Sequence, residues 1–169
     1  AKFEFSKSNI LSFNPLYGMS TWLTAPFESN ESSNLVMGSV KTDVEKFRTN
    51  PRFHFRIEMD WKYSPAAKGM PSEEDSQMME KVQEAFEVSF KKDPVAVLTE
   101  IFTGEGVRTL VFYTLSLHIF QRKVNEVLEP FPQLPLEFSA SDDPEWADYT
   151  STLTLAQADD DEEDTSTLS

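Results

Sequence analysis

The sequence predicts an α+β fold with a ferredoxin-like (split βαβ) core, an antiparallel sheet with two helices on one face. Residues 53–63, FHFRIEMDWKY, alternate apolar and polar side chains without an exception, the pattern of a strand with one buried face. Residues 73–92 place apolar side chains at the spacing of an amphipathic helix. From residue 53 onward the order is strand, helix, strand, strand, helix, strand, as in the split βαβ arrangement.

The first helix has clear signals at both ends. Ser72 stands in the N-cap position, with Asp75 three residues later and further acids in the first turn, where the helix dipole favours negative charge. Pro94 forbids continuation of the helix beyond residue 92.

The second half of the core is predicted as a hairpin, a helix and an edge strand. Residues 95–102 and 107–115 are two strands, and Gly104 and Gly106 supply the positive φ of a tight turn between them. Ser116 caps a second helix that Pro130 ends, and residues 134–138 form the last strand. Pro135 cannot donate to a ladder and favours an edge position. We expect strand 53–63 in the sheet interior, beside and parallel to strand 107–115.

The sequence divides into three parts. Residues 1–52 are an N-terminal arm and β extension of the same domain, with strands that extend the sheet or cover one face. Residues 53–150 are the ferredoxin-like core. Residues 151–169 contain the run DDDEED and few apolar side chains, so we expect a flexible, acidic C-terminal tail.

The net charge of −14 is concentrated near the C-terminus. Lys123 is the last basic residue, and 13 acidic residues follow it. This charge argues against direct nucleic acid binding and favours a basic protein partner. The chain has no cysteine, which excludes disulfides and cysteine nucleophiles and fits a cytoplasmic location. Apolar runs are too short for a membrane span.

Motifs for metal or phosphate chemistry are weak in this sequence. His54 and His118 have no partner at metal-ligand spacing. The sequence GEG at 104–106 lacks the remainder of a phosphate-binding loop and precedes a strand. We therefore expect no metal, no cofactor and no catalytic residues, although a Ser-His-Asp triad can assemble in space from distant positions.

Two groups of residues are candidates for ligand or partner binding. The first group lies on predicted neighbouring strands, so we expect its members close together: Trp61, Tyr63, Arg108 and Tyr113. An arginine beside aromatic rings binds an anionic or planar ligand or forms a structural pair. The second group comprises Asp143, Glu145, Trp146 and Tyr149. Its acids could bind a cation, but the segment DPEW is more typical of a short helical turn, capped by Asp143, with Trp146 and Tyr149 packed on the sheet.

Four segments in a fixed order carry a family resemblance: DWKY, GMP, GEGVRTLVFY and DPEWADY. Over roughly residues 19–150 the chain resembles the bacterial family known as domain of unknown function 695. The matching positions are Trp61, Tyr63, Met70, Pro71, Arg108, Tyr113, Asp143, Trp146 and Tyr149. The resemblance implies a fold and no mechanism. Some members look linked to domains similar to a protein regulator of ribonuclease E, which implies at most a regulatory or binding role.

The function that we expect is that of a non-catalytic protein-binding or regulatory module. The alternative is a hydrolase or small-ligand enzyme whose carboxylates converge only in the fold. A pocket that holds two acids with displaced pKa values would favour the enzyme. A closed surface with an apolar patch would favour the module.

Overall fold

One antiparallel sheet with helices on both faces forms the protein, whose computed structural model describes residues 3–5, 21–29 and 34–167. Residues 1–2, 6–20 and 30–33 of the predicted N-terminal arm and β extension lie outside the described residues, as do residues 168–169 of the predicted tail. The strands are β1 (Phe3–Phe5), β2 (Trp22–Ser29), β3 (Leu35–Lys41), β4 (Phe55–Lys62), β5 (Ala96–Gly104), β6 (Val107–Thr114) and β7 (Leu136–Asp142). The helices are α1 (Glu45–Arg48), α2 (Glu73–Lys92), α3 (Leu117–Leu128) and α4 (Ala147–Thr167), with a 3₁₀ turn at Ala67–Gly69.

The strand order is β1-β2-β3-β5-β6-β4-β7, and all neighbours are antiparallel. β4 lies in the interior between β6 and β7, and β7 follows Pro135 at an edge, as predicted. The prediction that β4 runs parallel to β6 is wrong, because Ile57 pairs with Phe112 in an antiparallel ladder. The α2 crossover brings β5 in parallel to β4, and the β5–β6 hairpin then reverses the chain direction.

The N-terminal hairpin of β2 and β3 joins this sheet edge to edge. β3 pairs with β5 from Met37 opposite Thr103 to Val40 opposite Glu100. Gly38 is required there, because a Cβ at this position would lie 2.2 Å from the Phe27 ring. The described N-terminal strands therefore extend the sheet.

The first core lies between the sheet and the helices α2 and α3. Ile57, Met59 and Trp61 of β4 are buried in it. Phenylalanine rings from three elements fill its centre, with neighbouring centroids 5.1–6.1 Å apart: Phe86, Phe90, Phe112 and Phe120. Ser72 caps α2 by accepting from the Asp75 N–H at 3.1 Å, so sequence and structure agree on this helix from its first residue.

The second core lies on the opposite face, beneath α4. The interpretation of residues 151–169 as a flexible tail differs from the structure, in which the helix continues to Thr167. Tyr149 and Ala156 are buried and Leu153 is half-buried in the same cluster as Phe27. These three positions of α4 are four and three residues apart, which places them on one helical face. The acidic run at 159–164 dominates the composition of residues 151–169, so composition does not indicate this short apolar stripe.

Because α4 covers this face, the polar side of β4 is not fully solvated. Arg56, Glu58 and Asp60 are half-buried. Asp60 accepts a hydrogen bond from the Thr109 hydroxyl at 2.7 Å. The alternation along β4 thus separates side chains of the first core from a row of half-buried polar side chains on the side of α4, whereas Phe53, before the strand begins, packs in the second core.

Candidate functional site

The structure divides the predicted candidate residues between the two faces of the sheet. Arg108 and Tyr113 are five residues apart on β6, so their side chains point to opposite faces. Arg108 pairs with Trp61 on the side of α2, and Tyr63 follows at the end of that strand. The expectation that Trp61, Tyr63, Arg108 and Tyr113 lie close together is therefore wrong for Tyr113.

Tyr113 and Trp146 form an aromatic clasp under the start of α4. Their rings stack with centroids 3.9 Å apart, and the Tyr113 hydroxyl donates to Oδ2 of Asp143 at 2.8 Å. The Trp146 indole N–H donates to the Phe53 carbonyl at 2.7 Å. Burial, followed by the hydrogen bond to Asp143, raises the pKa of Tyr113 well above its usual range.

Asp143 and Tyr149 complete this clasp. The Asp143 carboxylate accepts hydrogen bonds from the backbone N–H groups of Ala147 at 2.9 Å and Asp148 at 3.2 Å. These bonds give partners to two N–H groups that the first turn of α4 cannot pair within the helix. The Tyr149 hydroxyl donates to the Lys41 carbonyl, and burial raises the pKa of Tyr149 to about 12. Glu145 is exposed in the preceding loop. The contacts of these residues connect α4 to the sheet.

Arg108 lies at one end of a groove between α2 and the strands β2, β3 and β5. The groove has a volume of about 610 Å³, and its lining includes Trp22, Met37, Met70, Pro71, Ser76 and Glu80. Terminal nitrogens of the Arg108 guanidinium donate to Thr103 Oγ1 and to Gln83 Oε1, both at 2.7 Å. The Nε–H of Arg108 is buried without a partner in the part of the chain that the structure describes.

The positive charge of Arg108 is partly buried at its end of the groove, with Glu80 as a nearby negative charge. Burial lowers the pKa of Arg108, and the charge of Glu80 opposes this effect. Within the described residues, no carboxylate lies at ion-pair distance from the guanidinium. Tyr63 donates its hydroxyl proton to the Gly69 carbonyl at 2.7 Å, and burial raises its pKa. Within the part of the chain that the structure describes, the hydrogen-bond partners of Arg108 are the neutral side chains of Thr103 and Gln83.

Glu100 on β5 is a buried acid that the sequence interpretation missed. The residue has 0% exposure beneath α4, and neither carboxylate oxygen has a hydrogen-bond partner in the described part of the chain. Burial raises the pKa of Glu100 to about 7, while the charge of Arg56 and the nearby Thr152 hydroxyl lower it. This hydroxyl donates to the Asp148 carbonyl at 3.1 Å and makes no hydrogen bond of normal geometry with the acid.

Arg56 connects this acid to a wider set of charges. One terminal nitrogen lies 3.3 Å from Glu58 Oε1, and Nε lies 3.5 Å from Asp148 Oδ2 on α4. Burial lowers the pKa of Arg56, but the charges of Glu58 and Glu100 outweigh burial, and the net shift is upward. One signal for this cluster is present in the sequence, since Glu100 interrupts the apolar run 95–102.

The edge strand β7 borders a second, more apolar groove beside α3. The groove has a volume of about 340 Å³, and its lining includes Ile57, Leu117, Phe120, Val124, Phe138 and Ala140. Phe138 is 46% exposed and Leu117 is 40% exposed, which is unusual for large apolar side chains so close to a core. β7 pairs with β4 alone among the described strands.

Comparison with known proteins places the chain in a family. The model of the Family of unknown function (DUF695) matches residues 27–154. The chain belongs to this family. The DUF695 match includes all the candidate residues above, from Trp61 to Tyr149, and extends into the apolar stripe of α4. No curated protein and no solved structure matches the chain. Among the helices of the described residues, none has the length and apolar character needed to cross a membrane.

Proposed function

We propose that this DUF695 chain is a non-catalytic protein-binding or regulatory module that takes an extended, basic segment of a partner protein at β7. The observation that carries this proposal is that β7, beside the apolar groove of α3, pairs with β4 alone among the described strands. An extended segment can add a strand to such an edge through main-chain hydrogen bonds, while alternate side chains enter adjacent pockets.

β7 lacks several of the features by which sheets protect an edge, and its charged side chains, Glu137 and Asp142, lie near its two ends. Natural edge strands are commonly interrupted by proline or lysine, or are very short. The strand LEFSASD has seven residues, contains neither proline nor lysine, and presents small side chains at its centre: Ser139, Ala140 and Ser141. A second backbone can approach these positions without steric conflict.

The charge around β7 favours a basic partner. Residues 136–146 contain four acids and no base: Glu137, Asp142, Asp143 and Glu145. Lys62 lies 3.2 Å from Glu137, and His54 contacts Asp142. Even with these neighbours the edge is acidic, so lysine or arginine side chains flanking an apolar anchor are the complementary pattern.

The proposal extends to the fold type and the location. Within the sheet, the order β5-β6-β4-β7 supports a ferredoxin-like core to which β3, β2 and β1 are added beyond β5. The absence of cysteine from the sequence supports a cytoplasmic location. Ferredoxin-like cores have many functions, so the proposed role rests on the edge and not on the fold.

The rival proposal, a hydrolase with converging carboxylates, has weaker support. It requires two acids with displaced pKa values at a pocket. Glu100 is one such acid, but its neighbours Glu58 and Asp148 form ion pairs with Arg56. Glu100 is also sealed beneath α4 and lines neither of the two grooves. A substrate would have to displace α4 to reach it.

A displayed library of random peptides tests the proposed function. We expect selected peptides to alternate basic and apolar residues, and to slow hydrogen exchange of β7 amides when bound. Ala140→Arg should weaken binding at least tenfold, because it fills the groove and adds a like charge. Val88→Ser, which changes an exposed apolar residue on α2 away from this groove, is the matched control. Selection of acidic peptides, or binding unaffected by Ala140→Arg, would refute the proposal.

A further inference from the structure

We propose that the groove beside Arg108 binds a small zwitterion of the amino-acid type, with its carboxylate on Arg108 and its ammonium group beside the glutamates of α2. This site is separate from the proposed partner surface at β7. It lies on the other side of α2, against β2, β3 and β5. The volume of about 610 Å³ is within the usual range for a small-molecule site.

The first argument is the arrangement of the Arg108 guanidinium. Thr103 and Gln83 each accept one hydrogen bond at 2.7 Å and thereby fix the plane of the group. Each terminal nitrogen of an arginine carries two N–H groups, and these two hydrogen bonds use one on each nitrogen. Two N–H groups held in one plane match the geometry of a carboxylate.

The second argument is the opposite charge along the helix side of the same groove. Glu80, Glu84 and Glu87 line this side. Their spacing places all three on one face of α2, where like charges repel one another. Within the described residues, none of them forms an ion pair, and Glu87 accepts only a hydrogen bond from Gln83 at 3.3 Å. A ligand ammonium group would relieve this repulsion.

The remaining lining selects among zwitterions. Trp22, Met37 and Ile101 supply apolar surface on the strand side of the same groove. An amino acid with a large apolar side chain can contact this surface while its two charged groups meet Arg108 and the glutamates. A simple anion would meet repulsion from α2, and a simple cation would leave Arg108 without a counter-charge.

The test uses calorimetric titration of the full chain with L-phenylalanine and two derivatives. L-phenylalaninamide lacks the carboxylate, and N-acetyl-L-phenylalanine lacks the ammonium group. We expect L-phenylalanine to bind at least tenfold more tightly than either derivative. Arg108→Gln should abolish this binding, whereas Arg122→Gln, at an exposed arginine on α3, should leave it unchanged.

A second variant, Glu80→Gln, tests the same site in case Arg108→Gln does not fold. Glu80 is exposed, so Glu80→Gln should fold normally and should reduce the preference for L-phenylalanine over the N-acetyl derivative by about three- to fivefold. Two results would overturn the proposal. One is no heat of binding for L-phenylalanine at millimolar concentration, and the other is equal binding of all three compounds. Neither result would affect peptide binding at β7.

Discussion

At the scale of single residues, buried charged side chains have different surroundings on the two faces of the sheet. Arg108 is held by neutral partners at a groove, whereas Glu100 is sealed under α4 near a paired arginine. The sequence predicted the burial of Phe55, Ile57, Met59 and Trp61, because strict alternation identifies a face. The last three are buried, whereas Phe55 is half-buried. It could not predict the environment of Glu100, because the apolar run 95–102 has no alternation from which a face can be assigned.

Glu100 should make the stability of the protein depend on pH. Its pKa is about 7 in the folded chain and near the usual 4.5 in the unfolded chain. Between these values the folded chain binds more protons, so the free energy of unfolding should fall as pH rises from about 4.5 to 7. The total loss should be roughly 3 kcal/mol. Chemical denaturation at pH 5, 6, 7 and 8 measures it.

Glu100→Gln isolates this contribution. The variant should be about 1–3 kcal/mol more stable than the wild type at pH 8, with little difference at pH 5, because the amide stays neutral. Glu87→Gln, at an exposed glutamate of α2, should show the wild-type dependence on pH. If Glu100→Gln changed stability equally at pH 5 and pH 8, ionisation of Glu100 would not be responsible.

At the scale of elements, α4 carries the largest difference between the predicted and the observed structure. Composition alone classed residues 151–169 as a tail, since six consecutive acids follow Ala158. Asp143 was predicted to cap only a short helical turn with Trp146 and Tyr149 packed on the sheet. In the structure this cap starts a helix that covers a face of the sheet, and Trp146 stacks on Tyr113. Such coverage depends on contacts between distant positions, as in the hydrogen bond from Tyr149 to Lys41.

Two leucines of α4 provide a matched test of this docking. Leu153 packs against the second core, whereas Leu155 is 40% exposed on the other side of the helix. Leu153→Ala should lower the free energy of unfolding by about 1–3 kcal/mol, below the range for fully buried leucines. Leu155→Ala should change it by less than about 0.5 kcal/mol. Equal and small effects in denaturant titrations would mean that α4 does not dock in solution.

At the scale of the whole molecule, the sheet has a protected centre and an exposed side at β7. The split βαβ pattern predicted the interior place of β4 and the edge place of β7, because connection rules limit how such elements pair. The parallel orientation predicted for β4 and β6 is wrong, because the β5–β6 hairpin reverses the chain and leaves β6 antiparallel to β4. The attachment of β3 to β5 could not be predicted, since strand pairing between distant segments leaves no local signal.

This asymmetry should be visible in native-state hydrogen exchange of the full chain. β4 and β6 each have a strand on both sides, so their amides should exchange only through global unfolding. β7 is bonded to β4 alone among the described strands, and its outward-facing amides should exchange at least about a hundredfold faster.

Repeating the measurement at several protein concentrations separates an open edge from self-association. Uniformly slow exchange along β7 at every concentration would show that another part of the chain covers the edge, and would remove the basis of the proposed partner surface. Slow exchange at high concentration only would identify a second copy of the chain as the occupant.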